Sequence, residues 1–521
     1  MHSSGGEGDR RQALLSADAL ADDEDDLAAA PIASRAAEHV KTSDGAAYYL
    51  VMFLNLAFWL SFMGVLPVLF FDIQHDLPRD THAEVSKLYG WSLAAFSFVF
   101  ILAAPFCGWW YARAGLRAPL LFATGGTVVG FAVYCGARNV ATIIAARAIA
   151  GVSGGVVALA PAVIQKIESD ERMASAMASL PLINTFGAMV GPVFGLFLSV
   201  GKTSDAQVMA ASNSAALGWL KINAYTLPGF VSMWIFVLCF LGVLHALDAV
   251  PPQKSAAASE AEERPPTAQQ ETALWVLLLA MTIMRIVVGT LEATLTPYTH
   301  ANYGWFVADN SFIFVATGAA MFAGGIMGKQ LALRRPDLTD YGKCVAGETS
   351  ILIGVLLVND WGHPPLPKWR LVMGCACILI AFPIVLGNLM TMQAKLFRST
   401  TWAARLTVGT GMGRLLGPIV STQTLHFSYR RRGSVQPGSG ATTCDAQDFY
   451  RQAGKCVERC SDETAFSIMV ALQLLVILAL LFVRTTLHKP TPTPGPEAAR
   501  APELQLSQLE ADDAGGGEGG Q

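Results

Sequence analysis

Five ionisable side chains lie inside long apolar runs of this sequence, where such groups are rare. They are Arg147, Arg285, Glu292, Glu348 and Arg414. A charge inside a bilayer is costly, so it is kept mainly where it binds a solute, carries a proton or pairs with another charge. Glu292 follows Arg285 by seven residues, which places both on one helix face about 10 Å apart. We predict that these five side chains line a solute or ion pathway, the alternative being that Arg414 pairs with Glu292 or Glu348 to hold helices together.

The apolar runs around these charges indicate a membrane protein. The chain has 521 residues, of which 53% are hydrophobic and 15% charged, a composition too apolar for a water-soluble protein. Its apolar runs reach the length of about 20 residues that a helix needs to cross a bilayer. The first begins near Ala46, too late and too long for a cleaved signal peptide. The acidic residues concentrate near the ends, and nothing in the charge pattern supports nucleic-acid binding.

The order of the apolar runs predicts twelve transmembrane helices in two six-helix bundles, an all-α integral membrane fold. The first bundle covers residues 46–247 and the second residues 272–485. Between them, residues 248–271 are rich in proline and acidic side chains, which is typical of a linker. Residues 1–45 and 486–521 have the composition of disordered tails. The lysine and arginine content of the short turns places both tails and the linker in the cytoplasm.

Two sequence echoes indicate that the halves are related. Glycines four residues apart form a flat stripe on a helix, where another backbone can approach closely, and a proline within the stripe favours a kink. One such stripe occurs in each half: Gly187, Gly191, Pro192 and Gly195 in the first, Gly413, Gly417 and Pro418 in the second. Residues 89–100 and 303–314 also share six identical residues and an alanine at the same spacing. The echoes place helix 5 opposite helix 11 and helix 2 opposite helix 8, as a duplicated unit requires.

Three motifs resemble those of the major facilitator superfamily. The turn after helix 2 resembles its signature loop, although Ala112 stands where that family usually has aspartate. Helix 4 carries a second motif and the glycine–proline stripe of helix 5 a third. The residues concerned are Gly108, Arg113, Gly115 and Arg117 in the loop, and Arg147 and Gly151 on helix 4. The resemblance implies two pseudo-symmetric bundles with a solute site between them, glycines that act in packing and gating, and a role for Arg147 in proton coupling.

Within that superfamily the sequence is most similar to a lysosomal transporter subfamily linked to neuronal ceroid lipofuscinosis. The similar segments are residues 89–91, 223–228, 292–297 and 413–418. This resemblance implies a lysosomal, vacuolar or other endomembrane location rather than the plasma membrane. The chain differs from the subfamily in having no Asn-x-Ser/Thr sequon and no regular acidic dileucine signal.

Three cysteines share the loop before helix 12, which this topology places on an oxidising side of the membrane. They are Cys444, Cys456 and Cys460. An oxidising compartment favours one disulfide among them and leaves one thiol over, with the choice of pair open. A zinc site is the less favoured reading because a fourth ligand is lacking, so we expect no metal and no cofactor.

The favoured function is secondary active transport of a small solute by alternating access, with an anionic solute and proton coupling as options. An anion-conducting channel on the same fold and a non-transporting receptor or scaffold are the alternatives. No Ser/His/Asp set or metal-ligand set stands out, so an enzyme is the least favoured class. The chain also has no Gly-x4-Gly-Lys-Ser/Thr loop for nucleotide binding. The expected partners are the solute or ion and the lipid bilayer, and we expect a monomer.

Overall fold

The computed structural model describes most of both predicted bundles. It covers residues 48–77, 82–167, 170–199, 216–217, 220–221, 225–246, 266–334, 338–361, 365–396, 400–431 and 456–487. The predicted N-terminal tail, most of the linker and nearly all of the C-terminal tail lie outside these residues. Cys444 also lies outside them.

The described residues contain twelve helical segments long enough to cross a membrane. Eleven are also apolar enough by composition, and the twelfth, α11, is 25 residues long but carries two arginines and several threonines. The continuous helices are α1 Tyr48–Asp76, α2 His82–Ala114, α3 Arg117–Gly136, α6 Leu227–Ala246, α7 Ala268–Tyr303, α8 Val307–Arg334, α9 Asp340–Val358, α10 Lys368–Leu396, α11 Thr400–Thr424 and α12 Glu463–Phe482. A short helix, α13 Arg484–Leu487, follows α12. The twelve-helix expectation is therefore confirmed.

Two of the spans are interrupted. In α4, the segments Val140–Ala150 and Gly154–Ile167 are joined by a 3-10 turn, Gly151–Ser153. In α5, the segments Asp170–Val190 and Val193–Ser199 are separated at Gly191 and Pro192, where the proline ring removes a backbone donor. The corresponding Pro418 lies inside an unbroken α11.

Three boundaries differ from the sequence-based expectation. Helix α7 begins at Ala268, inside the predicted linker, because Thr267 and Gln270 form a reciprocal capping box that satisfies free backbone donors of the first turn. Helix α1 continues to Asp76, so Asp72, expected in a loop, is a buried helical residue. The region after α11, expected to be irregular, begins with strand β3 His426–Arg431, which pairs antiparallel with β4 Cys456–Ser461. A smaller hairpin pairs Ala216–Leu217 with Leu220–Lys221.

Strand β4 reduces the number of cysteine pairs that could form the predicted disulfide. Cys456 and Cys460 are four residues apart on this extended strand, so their Cα atoms are separated by about 13 Å. A disulfide needs Cα atoms within about 7 Å. A pair between these two cysteines is therefore excluded, and the remaining prediction is a bond from Cys444 to one of them.

Equivalent glycines make equivalent contacts in the two halves. A methyl group on Gly187 of α5 would lie 2.9 Å from Cβ of Trp59 on α1, and one on Gly413 of α11 would lie 2.5 Å from Cβ of Arg285 on α7. Gly187 and Gly413 are separated by the same number of residues as Trp59 and Arg285. The next glycines repeat the relation: Gly191 approaches Gly64, and Gly417 approaches Thr290. The sequence echo therefore corresponds to one helix contact present twice.

The two halves pack through the helices that the echoes single out, α2 against α11 and α5 against α8. We name the side on which α1 begins the tail side, and the side that carries β3 and β4 the loop side. Near the loop side, a methyl group on Gly195 of α5 would lie 2.6 Å from Oγ of Ser311 on α8. There Gly90 of α2 also lies directly against Thr422 of α11. The halves are thus closely packed at this side.

A group of aromatic and imidazole rings adds to the loop-side contact between the halves. The His300 ring of α7 lies 5.2 Å from Phe71 and 5.9 Å from Phe70, both on α1, and 5.4 Å from His82 at the start of α2. Its Nδ1 lies 2.9 Å from the backbone oxygen of Trp305. These contacts join the ends of the first helix of each half.

Candidate functional site

Three of the predicted arginines meet at the centre of the molecule, although they come from both halves. Arg147 lies on α4 of the first half, and Arg285 and Arg414 lie on α7 and α11 of the second. Local packing sets each position. Gly151, one turn after Arg147, lets α4 approach α2 closely, since a methyl group there would lie 3.2 Å from the backbone nitrogen of Phe100. Gly413 lets α11 approach α7 beside Arg285 in the same way. Small residues next to the arginines therefore bring their helices together.

Two rings of α1 are each shared by two of the three guanidinium groups. Trp59 and Phe62 are three residues apart and so share one helix face. The Phe62 ring centre lies 4.2 Å from Cζ of Arg414 and 5.6 Å from Cζ of Arg147. The Trp59 ring centre lies 4.6 Å from Cζ of Arg414 and 5.6 Å from Cζ of Arg285. Arg414 is thus the middle cation, because it contacts both rings.

A further ring contacts each of the two outer arginines. Cζ of Arg147 lies 4.7 Å from the Phe96 ring of α2, and Cζ of Arg285 lies 4.3 Å from the Phe382 ring of α10. We name the three arginines and the four rings that contact them, Trp59, Phe62, Phe96 and Phe382, the arginine–aromatic ladder. Cation–π contacts of this kind contribute about 0.5–2 kcal/mol each. They hold the guanidinium groups in place but satisfy none of their hydrogen-bond donors.

The ladder is buried and rich in unused donors. The exposed fractions are 1% for Arg147 and 4% for both Arg285 and Arg414. All three side-chain nitrogens of Arg147, Nε and Nη2 of Arg414, and Nε of Arg285 have no hydrogen-bond partner among the described residues. Nε1 of Trp59 also has no hydrogen-bond partner among the described residues. Buried donors of this strength are normally paired, so the ladder has the chemistry of an anion site.

Glu292 is the carboxyl group that accompanies the ladder. It interacts electrostatically with Arg414 and Arg285, yet among the described residues it forms no ion pair with them, and its Oε1 has no hydrogen-bond partner. It lines a cavity of about 20 Å³ together with Met63 of the first half and Phe314 of the second. A second cavity of about 20 Å³ lies beside Arg285. Each has room for about one water molecule, so this conformation is closed around its centre.

Glu348 lies away from the other four predicted site residues. On α9 it faces α12, where Gln473 Nε2 donates a hydrogen bond to its carboxylate and, at 3.2 Å, to its backbone oxygen. Both side chains are fully buried. The structure therefore brings Arg147, Arg285, Glu292 and Arg414 together and leaves Glu348 between two helices of the second half. Asp340 forms ion pairs with Lys343 and Lys395, away from these residues.

The loop motif after α2 is distant from the ladder. Gly115 has a φ of 77°, a left-handed conformation that glycine adopts readily, and it turns the chain from α2 into α3. Arg113 stacks on Trp109, with Cζ 4.0 Å from the ring centre. Nη2 of Arg117 donates a 2.9 Å hydrogen bond to the backbone oxygen of Leu244 near the end of α6, and Gly108 has open space beside it. These residues join helix ends at the tail side.

Sequence reasoning missed the four aromatic residues of the ladder. The spacing of Trp59 and Phe62 was visible, but the chain contains 27 phenylalanines and 11 tryptophans, and most face lipid or the protein core. It also missed Asp72, which the helix prediction placed in a loop and which interacts with Tyr134 of α3. An aromatic residue becomes a site residue only through the cation that another helix places beside it.

A closed bundle of twelve helices in two repeated halves, with buried arginines between them, defines a membrane carrier fold. The chain matches the family model described as Major Facilitator Superfamily over residues 48–422, and it belongs to that superfamily, whose members are transporters. It is therefore an integral multi-pass membrane protein.

Several proteins are similar to this chain. A mouse protein, major facilitator superfamily domain-containing protein 10, is 25% identical over 341 residues, which cover 64% of this chain and 73% of that protein. Major facilitator superfamily domain-containing protein 8 of Xenopus laevis is 24% identical over 340 residues, which cover 61% of this chain and 63% of that protein. Among solved structures, the human organic anion transporter MFSD10 (TETRAN) matches with a TM-score of 0.56 at 18% identity, over 84% of this chain and 99% of that one. A D-xylose–proton symporter matches with a TM-score of 0.60 at 12% identity, over 84% and 96%. At these identities, both structural matches show a shared fold and nothing beyond it.

Proposed function

We propose that this protein is a secondary active transporter that moves a small anionic solute through the ladder by alternating access. The observation that carries the proposal is the set of unpaired guanidinium donors between the two halves. Planar, permanently charged guanidinium groups bind carboxylates and phosphates through paired hydrogen bonds. An anion between the halves would accept hydrogen bonds from these donors. The contacts of the guanidinium groups with the aromatic rings leave the same donors unpaired.

Two further facts support the proposal. The two central cavities hold about 20 Å³ each, so a solute larger than water needs the halves to move apart, as in a carrier. One relative of known structure is described as an organic anion transporter, which agrees with the positive charge of the ladder in this chain. A channel would instead need a continuous pathway in its conducting state.

Arg414 provides the sharpest test, because it is the middle cation. Purified protein in liposomes would be assayed for uptake of a panel of labelled carboxylates, phosphate and chloride. We expect Arg414→Ala to abolish uptake while the protein still folds and inserts. Arg414→Lys should retain part of the activity, because a lysine keeps the charge but loses the planar pair of donors. Full uptake by a well-folded Arg414→Ala variant would contradict the proposal, and a parallel fall in stability and uptake would indicate a packing role.

The alternatives predict different electrical behaviour. An anion channel gives a current that reverses at the Nernst potential of the anion, whereas a coupled carrier reverses at a potential that also depends on the second ion. A receptor or scaffold gives no flux of any solute.

If transport is coupled to a second ion, we propose that this ion is the proton and that Glu292 takes it up, because Glu292 is the carboxyl group that interacts with the ladder. Uptake driven by a pH gradient and lost in Glu292→Gln would support this.

We also propose that the protein works as a monomer in a lysosomal, vacuolar or other endomembrane compartment. The similarity of its motifs to a lysosomal subfamily supports the location, and the solute pathway between its own two halves supports the monomer. Imaging of a tagged protein with compartment markers and the mass of the detergent-purified particle test these two points.

A further inference from the structure

The charge balance of the ladder limits what kind of anion it can accept. We propose that the transported solute carries two negative charges on separate groups, as a short dicarboxylate does. This inference rests on the proposed function and specifies the substrate class of the same site. It follows from the number of opposing charges at the centre and from the order of the guanidinium groups along the ladder.

The first argument is the excess of positive charge. Three guanidinium groups, which stay protonated in proteins, are accompanied by the single carboxyl group of Glu292. The excess is therefore at least two positive charges, whichever protonation state Glu292 adopts. A net charge in a region of low dielectric constant is costly unless a counter-charge enters with it. A monovalent anion would leave at least one charge uncompensated.

The other buried carboxyl groups of the described residues do not change this balance. Asp72 interacts with Tyr134 of α3. Glu348 is held by Gln473 on α12. Asp360 and Asp462 lie together at the loop-side ends of α9 and α12. The positive excess of the ladder is therefore left for the solute.

The second argument is the arrangement of the donors. Arg147 and Arg414 are in contact with the same ring, Phe62, while Arg414 and Arg285 share Trp59. Arg147 and Arg285 have no ring in common among the described residues. The cations are therefore spread along a row with Arg414 in the middle rather than clustered around one point. A doubly charged single group, such as a phosphate monoester, would suit a converging cluster. Two carboxylates joined by a short apolar spacer suit a row, because each meets a different guanidinium group and the spacer lies against a ring.

The test compares two probes of the same length that differ by one charge. Glutarate has two carboxylates, and glutaramate has one of them replaced by a neutral amide. Both would be tested, unlabelled, as competitors of the uptake of labelled glutarate in liposomes at pH 7.5, where the carboxylates are ionised, with a phosphate monoester of similar size as a third probe. We expect glutarate to compete at least about tenfold better than glutaramate, since a site built for a charged group strongly rejects an analogue without it.

Arg147→Gln should change this preference rather than remove activity alone. Removing one cation lowers the excess by one charge, so the preference for glutarate should fall about tenfold and glutaramate should compete as well or better. Arg138→Gln is the matched control: it removes the same charge from an exposed residue in the turn before α4, and the preference should stay as in the wild type. Thermal unfolding of each variant shows whether it folds.

The outcomes separate the two levels of the proposal. If none of the three probes competes or is transported, the proposed function fails. If wild-type protein accepts glutaramate as well as glutarate, or prefers the phosphate monoester, the function stands and the dicarboxylate inference is wrong. An equal loss of both probes in a folded Arg147→Gln variant also overturns it. The wild-type comparison decides the question even if that variant does not fold.

Discussion

At the scale of single residues, the burial of a charged side chain did not by itself identify its role. Arg414 and Glu348 are both candidates in the sequence, since both interrupt long apolar runs. In the structure, Arg414 contacts two rings and has unpaired donors, whereas the Glu348 carboxylate accepts a hydrogen bond from Gln473. The partner that a neighbouring helix supplies distinguishes a solute site from a helix–helix contact.

Glu348→Gln should therefore leave both stability and transport near the wild-type level. The new amide can accept from Gln473 Nε2 and donate to Gln473 Oε1, which has no partner among the described residues. Glu348→Ala instead leaves Gln473 unpaired and should lower stability by roughly 1–3 kcal/mol. Thermal unfolding in detergent and uptake in liposomes would measure the two effects. Loss of uptake in a stable Glu348→Gln variant would return this residue to the solute pathway.

Asp462 should make stability depend on pH. At the loop-side start of α12, burial and the nearby Asp360 raise the pKa of Asp462 well above its usual range. Its backbone N–H donates a 3.1 Å hydrogen bond to Asp360 Oδ2. The folded state therefore holds the Asp462 proton more tightly than the unfolded state does. The resulting stability is complete below the unfolded pKa of about 3.9 and is lost as pH rises through the folded pKa.

Asp462→Asn should remove this dependence, because an amide cannot ionise. We expect the variant to match the wild type at acidic pH and to be the more stable protein at neutral pH. Melting temperatures of both proteins across pH 4–8 would show two curves that converge at the acidic end. Parallel curves across that range would mean that Asp462 does not control the effect.

At the scale of helices, small residues decide how closely two elements approach. Gly90 of α2 lies against the Thr422 side chain of α11, whose hydroxyl donates a 2.8 Å hydrogen bond to the Pro418 oxygen. That bond keeps the threonine from turning aside. A methyl group on Gly108 of the same helix would meet no atom of the described residues within 4 Å outside its own helix backbone, so the two glycines form a matched pair.

Gly90→Ala should push α2 and α11 apart at the loop side and lower stability by roughly 1–3 kcal/mol. Gly108→Ala should be neutral or stabilising by up to about 1 kcal/mol, because alanine is the better helix former. Thermal unfolding and uptake rates of the two variants provide the comparison. Equal behaviour of the two variants would mean that the Gly90 contact is not a tight one in the membrane.

At the scale of the whole molecule, the central question is whether the halves must separate at the loop side for transport. A Cβ atom on Gly195 of α5 would lie 3.6 Å from Cβ of Ser311 on α8, within the range of about 3.5–4.5 Å that a disulfide requires. This pair joins the two halves without involving the ladder.

The double variant Gly195→Cys with Ser311→Cys should form a disulfide on oxidation and stop transport. Reduction should restore the rate, and each single variant should be insensitive to oxidant. The extent of cross-linking would be read from thiol labelling and compared with uptake in the same sample. Undiminished flux in a fully cross-linked protein would argue against alternating access at this interface and would favour a channel.

Sequence alone determined the membrane class, the twelve helices and the duplication, because bilayer crossing and helix packing leave local patterns. Long apolar runs and glycines every four residues depend only on neighbours along the chain. It also identified the three arginines, since a charge within an apolar run is conspicuous. The tertiary structure decided which charges meet, that Trp59 and Phe62 contact them, and that Glu348 stands apart. Those facts depend on contacts between helices far apart in the chain, and a periodic pattern within one helix contains no information about the partner it faces.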